Sequence, residues 1–373
     1  MGKSKKNTSF FYNPIDYTLL ITVLLLLALG LIMVLSASSP TALAEGGSSY
    51  TYFIRQAIFA ALGIFFMIII SKIDYRVYKR FYILAYIASI GLLALVMVIG
   101  KESNGAKRWI YVTKSLSFQP SELVKLLMIV FYAGILTKNR DDLPHFLKGF
   151  LKHIIFIGPI AVLLLLEPHM SATMVIAGIC CVMMLVAGCK FSHFTTTGLL
   201  AGVPALMFLI TKAEYRLQRV TTFLDPWQDK LGDGWQIIQS LYAIGSGGLF
   251  GSGLGQSKQK YLYLPEPQND FIFSVLAEEL GFIGCVFVII LFAILIWRGV
   301  LVAMKAPDMF GSLLAVGITS LIAIQAIINI AVVTSSMPAT GMPLPFFSYG
   351  GTALFILLCE MGVLLNISRA GNK

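Results

Sequence analysis

The chain has 373 residues, 57% of them hydrophobic and only 12% charged, with a mean hydropathy of +0.83. Soluble domains carry about a quarter charged residues, so an ordinary soluble domain is excluded, and repeated long apolar runs point to a polytopic helical membrane protein. The formal charge of +10 would suggest nucleic acid in a soluble chain, but here the Lys and Arg residues divide among membrane connectors, and no nucleic-acid partner is expected.

Residues 1–16 carry lysines, yet no convincing small-residue cleavage site follows, so they are expected to form a cytoplasmic tail ahead of a retained first span. Apolar runs then fall at 17–38, 52–71, 81–99, 119–137, 150–167, 170–188, 193–211, 271–297, 309–334 and 347–367. Ten helices near the length that crosses the hydrocarbon core are therefore expected, an all-α fold in one membrane domain over 1–373. Both termini share one side. Placing them in the cytoplasm leaves the connectors 39–51, 167–169 and 335–346 free of Lys and Arg on the outside, as the positive-inside rule requires. The five cysteines sit in or at the ends of apolar runs, so no disulfide framework is expected. The four histidines lack metal-ligand spacing.

On this orientation the outer cations are confined to 100–118 and 212–270. Solvated loops tolerate such charge, and the same cations could meet an anionic ligand at the membrane surface. The 212–270 segment is a long extracytoplasmic loop between the seventh and eighth helices, of the length that usually carries function. Its six glycines from Gly245 to Gly255 match neither the GxxxxGK[ST] nor the GxGxxG phosphate pattern. They permit either tight turns or close approach to a ligand. Asp270 is expected to cap or begin the eighth helix. Glu278 lies roughly 12 Å deeper at about 1.5 Å per residue, too far for a paired-carboxylate site. Glu278 and Glu279 are expected to pair with cations from other helices.

The fourth span opens Gln119-Pro120-Ser121-Glu122-Leu123-Val124-Lys125. Pro120 suits a first helical turn, with Gln119 or Ser121 satisfying its free N–H groups. Glu122 and Lys125 are three apart and share a face; an intramembrane ionisable pair is a functional candidate. Upstream, Lys107 and Arg108 stand beside Trp109. Toward the C-terminus, Pro338, Gly341, Pro343, Pro345 and the Ser348-Tyr349-Gly350-Gly351 run break the helix, which is tolerated at membrane depth where backbone lines a cavity or is buried.

These residues, with Asp225-Pro226-Trp227, Ala277-Glu278-Glu279-Leu280-Gly281 and Pro343-Leu344-Pro345-Phe346-Phe347-Ser348-Tyr349-Gly350-Gly351, resemble the SEDS family, the shape, elongation, division and sporulation proteins RodA, FtsW and SpoVE. The resemblance runs in order along essentially the whole chain. Glu167-Pro168-His169-Met170-Ser171 looks more like the division and sporulation branch than the RodA branch. Asn269 stands where many members have Thr before the loop aspartate, a mild departure.

The resemblance implies a ten-helix peptidoglycan glycosyltransferase of the bacterial cytoplasmic membrane. Such an enzyme polymerises lipid II with a class B penicillin-binding protein and alongside other division or elongation membrane proteins. The family's loop aspartate falls on Asp270, its fourth-helix acid and base on Glu122 and Lys125, and its Arg-Trp motif on Arg108 and Trp109. The reaction needs a base on the acceptor hydroxyl, here Asp270. It also needs cations on the diphosphate, here Arg108, Lys107, Arg216 and Lys260, with Glu122, Lys125, Trp109 and Ser348 on the substrate side. No cofactor is implied; a divalent cation could share the diphosphate charge, though no ligand cluster marks one. Two rival classes stay open: a lipid II flippase, which also needs buried polar groups and broken helices, and an inert scaffold for division enzymes.

Overall fold

A computed structural model of the chain describes residues 14–103, 106–111, 117–211, 214–230, 232, 234–261 and 263–371. The helices are α1 Tyr17–Ala44, α2 Thr51–Ile70, α3 Tyr82–Ile99, α4 Pro120–Lys138, α5 Lys152–Leu166, α6 Met170–Ala187, α7 Phe191–Thr197, α8 Val203–Thr211, α9 Glu214–Leu224, α10 Trp235–Gly247, α11 Ile272–Lys305, α12 Met309–Val333 and α13 Gly351–Gly371. Among the described residues nine helices are long and apolar enough to cross a membrane. The seventh crossing expected from the sequence is instead a segmented run, α7 and α8 joined by a π-helical stretch Gly198–Gly202. Pro204 accounts for the break, since its ring and missing N–H disfavour a regular α turn just before it.

The core is a bundle in which α4, α12 and α13 are the most enclosed helices, while α2 and α3 turn most of their apolar side chains outward. Outward apolar residues are what a lipid-facing helix requires. Packing is knitted at one end by polar clasps. Arg298 donates to Asp16, which also caps α1 through Leu19 N–H at 3.0 Å. Tyr75 Oη donates to Asp308 at 2.6 Å.

The opposite end carries the irregular structure. The 100–118 connector, expected only as a loop, holds a small antiparallel sheet, β1 Lys101–Ser103, β2 Ala106–Tyr111 and β3 Ser117–Phe118, in the order β1-β2-β3. The long 212–270 segment is not one open loop. It contains α9 and α10, and α10 descends until Gly247 lies against Ala277 and Glu278 of α11.

α11 is broken at Gly281 (φ 67°, ψ −168°). The chain after α10 fills the break: Ser252 and Gly253 N–H donate to the Glu278 and Glu279 carbonyls, and Phe282 N–H donates to the Gly248 carbonyl at 2.9 Å. A Cβ on Gly251 would lie 2.2 Å from the Glu279 carbonyl oxygen, and one on Gly281 would lie 2.3 Å from the Gly251 nitrogen. The glycine run thus serves backbone-on-backbone packing, not a ligand cradle.

The two acids of α11 hold the same loop. Glu278 accepts from Ser257 Oγ at 2.5 Å and from Lys258 N–H at 2.8 Å. Glu279 pairs with Lys260 at 2.8 Å and accepts from Ser36 Oγ at 2.6 Å. Their partners come from the loop and from one α1 hydroxyl, correcting the expectation of cations from other helices. A loop can bring several N–H groups to one carboxylate, whereas a packed helix has already spent its own.

Candidate active site

At the irregular end a cavity of about 870 Å³ opens between α2, α4, α6, α12 and α13. Asp270, Glu122, Lys125, Arg108, Trp109 and Ser348 all line it. These residues lie as far apart in sequence as Arg108 and Ser348, and the helix bundle brings them to one wall.

Glu122 and Lys125 form the expected i,i+3 pair, Nζ to Oε2 2.7 Å, near the start of α4. The helix start departs from expectation. Gln119 occupies the N-cap position, but its side chain caps nothing and goes to the His169 ring at 2.7 Å. His169 in turn caps α6, its Nδ1 accepting from Ala172 N–H at 3.2 Å. The atom placed toward the ring is the Gln119 amide nitrogen; with Nδ1 accepting from Ala172, the neutral ring carries its proton on Nε2, which assigns the Gln119 amide the reversed orientation with its oxygen accepting. Burial, then the charges of Arg108 and Lys125, push His169 down to about 3, so the ring is neutral and a fixed spacer.

Arg108 Nε donates to the Glu167 carbonyl at 3.2 Å and its Nη2 to the Pro168 carbonyl. This ties β2 to the turn between α5 and α6. Burial pushes the Glu167 carboxyl up to about 7, against the pull of Arg108.

Asp270 does not cap α11. The helix begins at Ile272 after Phe271, and Asp270 sits in the preceding turn. Its position is set from both sides: Asn329 of α12 donates to its carbonyl at 2.7 Å, while Ser348 Oγ donates to the Asn269 carbonyl at 2.7 Å. Its carboxylate faces Gly341, whose added Cβ would come within 3.4 Å of Oδ2. Burial foremost, then the nearby Glu266 charge, push it up to about 6, while Arg219 pulls the other way. A half-buried carboxylate with a raised pKa on a cavity wall suits a proton acceptor working near neutral pH.

Three sequence-based assignments need revision, and a fourth, Arg216, is described in its backbone alone. Lys260 lies away from the cavity, buried in its pair with Glu279; a desolvated ammonium stays charged only with such a counter-ion. Lys107 is exposed and off the cavity wall, although Arg108 and Trp109 after it both line it. Ser348 lines the cavity, but its hydroxyl is committed to the Asn269 carbonyl and the Leu344 N–H. Arg216 falls in α9, with its side chain outside the described residues.

The structure adds three residues to the wall. Arg219, one turn beyond Arg216, reaches the cavity and donates to the Ala339 carbonyl at 3.1 Å; the three-residue spacing of the two arginines was the available signal. Glu360 of α13 is 1% exposed and lines the cavity with the Glu122–Lys125 pair. A lone acid inside an apolar run marks such a position. Arg55 of α2 also lines the wall. Among the described residues no group of three or more His, Cys, Asp or Glu side chains is placed to hold a metal ion.

Fold and cavity together define a multi-pass membrane protein with a charge-lined chamber at one end of its helix bundle. The model of the FtsW/RodA/SpoVE family, described as "Cell cycle protein", matches residues 17–373. Stage V sporulation protein E of Bacillus subtilis (strain 168) is 46% identical over 356 residues, covering 95% of this chain and 97% of that protein. A Geobacter protein (strain M18) named "Probable peptidoglycan glycosyltransferase FtsW" is 42% identical, covering 95% and 96%. Among solved structures, a chain of a peptidoglycan synthase complex superposes with a TM-score of 0.77 at 30% identity, covering 96% of this chain and 98% of that one. The rod shape determining protein RodA of Thermus thermophilus superposes with a TM-score of 0.71 at 29% identity, covering 95% and 97%. The chain belongs to the FtsW/RodA/SpoVE family.

Proposed function

We propose that this chain is a peptidoglycan glycosyltransferase that polymerises lipid II at the outer face of the bacterial cytoplasmic membrane. The observation that carries the reading is the convergence of Asp270, the Glu122–Lys125 pair and Arg108 on one cavity. In the reaction, Asp270 takes the proton from an acceptor sugar hydroxyl as its oxygen bonds to the donor C1. The C1–O bond to the diphosphate breaks, and the lipid diphosphate leaves with the bonding pair. The cations of the wall offset the negative charge that develops on it.

Both termini lie in the cytoplasm on this reading. Lys72, Lys79, Arg80, Lys138, Arg140 and Lys190 then cluster at the inner end, opposite the cavity, in keeping with the positive-inside rule. A class B penicillin-binding protein is the partner that would cross-link the new strand. The likeness to a chain of a peptidoglycan synthase complex supports that pairing.

The flippase alternative needs polar walls continuing to the far membrane face. Below the Lys125 level α4 instead buries Met128, Ile129 and Phe131, which favours the polymerase. Polymerisation of purified lipid II, with and without the partner, tests the reading. Polymer from wild type but not from Asp270→Ala is the expected result. Absence of polymer from folded wild type with its partner would return the flippase to first place.

A further inference from the structure

The acids of the cavity wall differ in what holds them. Glu122 is paired with Lys125 at 2.7 Å. Glu360 of α13 lines the same cavity and is 1% exposed, yet its carboxyl makes no hydrogen bond or ion pair among the described residues. The charged groups that face it are Lys125 and Glu122 of α4. A buried acid without a partner is costly in an apolar helix, and the reaction described above does not use it.

Lys125 has the complementary need. Its ammonium is 3% exposed and carries three N–H donors, of which one is in use, to Glu122. Glu122 stands three residues before Lys125 on the same helix, so their pair fixes the ammonium relative to α4 alone. The flexible four-carbon stem of a lysine lets its head swing toward a second acid.

Asp270 is tied to α13. Just before the first turn of that helix, Ser348 Oγ donates to the Asn269 carbonyl, and Tyr349 N–H donates to the Gln268 carbonyl at 2.8 Å. Farther along, α13 is seated closely on α2. A Cβ on Gly351 would lie 2.2 Å from the Phe59 ring, and one on Gly63 would lie 2.4 Å from Leu358. Ile356, Leu357 and Glu360 share the face of α13 that lines the cavity, as spacings of three and four residues require. Glu360 thus sits roughly 13 Å along the helix from Gly351, on the same element whose start clamps the Asp270 turn.

We propose that Glu360 is a positioning residue for Lys125, a second counter-ion across the cavity that draws the ammonium from Glu122 toward α13. The cation Lys125 and the base Asp270 are then referred to one helix instead of two that can shift against each other. The proposal rests on the polymerase reading for the task of Lys125, which is to offset charge developing on the leaving group. Its electrostatic part, two acids sharing one buried lysine, is tested without turnover.

The experiment uses the full chain in nanodiscs of phosphatidylcholine and reads thermal melts and lipid II polymerisation. Wild type is compared with Glu360→Gln, Glu360→Asp, Glu122→Gln and the double variant Glu122→Gln with Glu360→Gln. Removing either acid leaves Lys125 with the other, whereas removing both strands a buried ammonium. The double variant should therefore lose more melting temperature than the two singles summed, or fail to fold where each single folds. Glu360→Gln should lower kcat about tenfold or more with KM changed less than about twofold, as a charge misplaced in the transition state does. Glu360→Asp keeps the carboxylate and should recover most of that rate. Additive melts, an unfolded Glu360→Gln or a wild-type kcat in that variant would each overturn the proposal. A side chain that merely packs gives additive melts and no rescue by aspartate. If wild type forms no polymer but the melts are non-additive, the polymerase reading fails and the shared counter-ion stands.

Discussion

The Asn329 side-chain amide donates to the Asp270 carbonyl at 2.7 Å and, at the same distance, to the Met342 carbonyl. One buried side chain of α12 thus holds the turn that carries the proposed base against the irregular 334–350 segment that forms the facing wall. Asn329→Leu keeps the volume and removes both donors. Two buried carbonyls then lose their partner, at about 1–3 kcal/mol each. A lowered melting temperature and a polymerisation rate down by at least about tenfold are expected, with insertion retained. A variant with full activity would show that Asp270 is positioned by other contacts.

Asp270 sets the pH profile. With its carboxyl pushed up to about 6, the base form is lost below that pH, so the rate should climb through pH 6 and level off above about pH 7. Asp270→Asn should lose about 10²- to 10⁴-fold in rate. Stability runs the other way. A carboxyl with a raised folded pKa contributes most while protonated, below its unfolded value of about 3.9, and that contribution is lost as pH rises through 6. Asp270→Asn should therefore melt higher than wild type at pH 8, the gap closing toward pH 4. Thermal melts at the two pH values check the sign.

The Lys260–Glu279 pair anchors the loop that fills the break in α11, with Ser36 bonded to both partners. Glu279→Gln leaves a buried ammonium without its counter-ion and should cost about 3–5 kcal/mol. Lys260→Met combined with Glu279→Gln removes both charges and should cost less than the two single changes summed. Additive losses in thermal melts would mean that the pair is not coupled.

Gly281→Ala should fail to fold or lose most of its activity. The position has φ 67°, costly for a residue with a side chain, and its Cβ would enter the Gly251 backbone at 2.3 Å. Gly91 is the control: a Cβ there meets nothing within 4 Å and no positive φ is involved, so Gly91→Ala should be neutral or slightly stabilising. Yield of monodisperse protein after extraction separates the two.

Much of the membrane architecture was legible because hydropathy is a local property: an apolar run of spanning length has to become a helix in lipid, where no water satisfies its backbone. The Glu122–Lys125 pair was legible for the same reason, since i,i+3 spacing on a helix dictates proximity. The glycine run was legible as a place of close backbone approach but not as to what approached it. Its partner, the Gly281 break in α11, is formed by chain some thirty residues on. Glu360 left a clear mark, a single acid in an apolar helix, that the loop-centred reading passed over.

The sequence by itself determined the solvent this chain folds in, the family it belongs to and the residue types its chemistry needs, all of which reside in composition and order. Only the tertiary structure decided which cations serve the cavity. Lys260 is consumed by Glu279, Lys107 stays exposed and off the wall, and Arg55 and Arg219 arrive at the wall from helices far apart in sequence. A charge acts through distance and counter-ion, falling off with separation and cancelled by a buried partner, and neither quantity exists until the helices have packed.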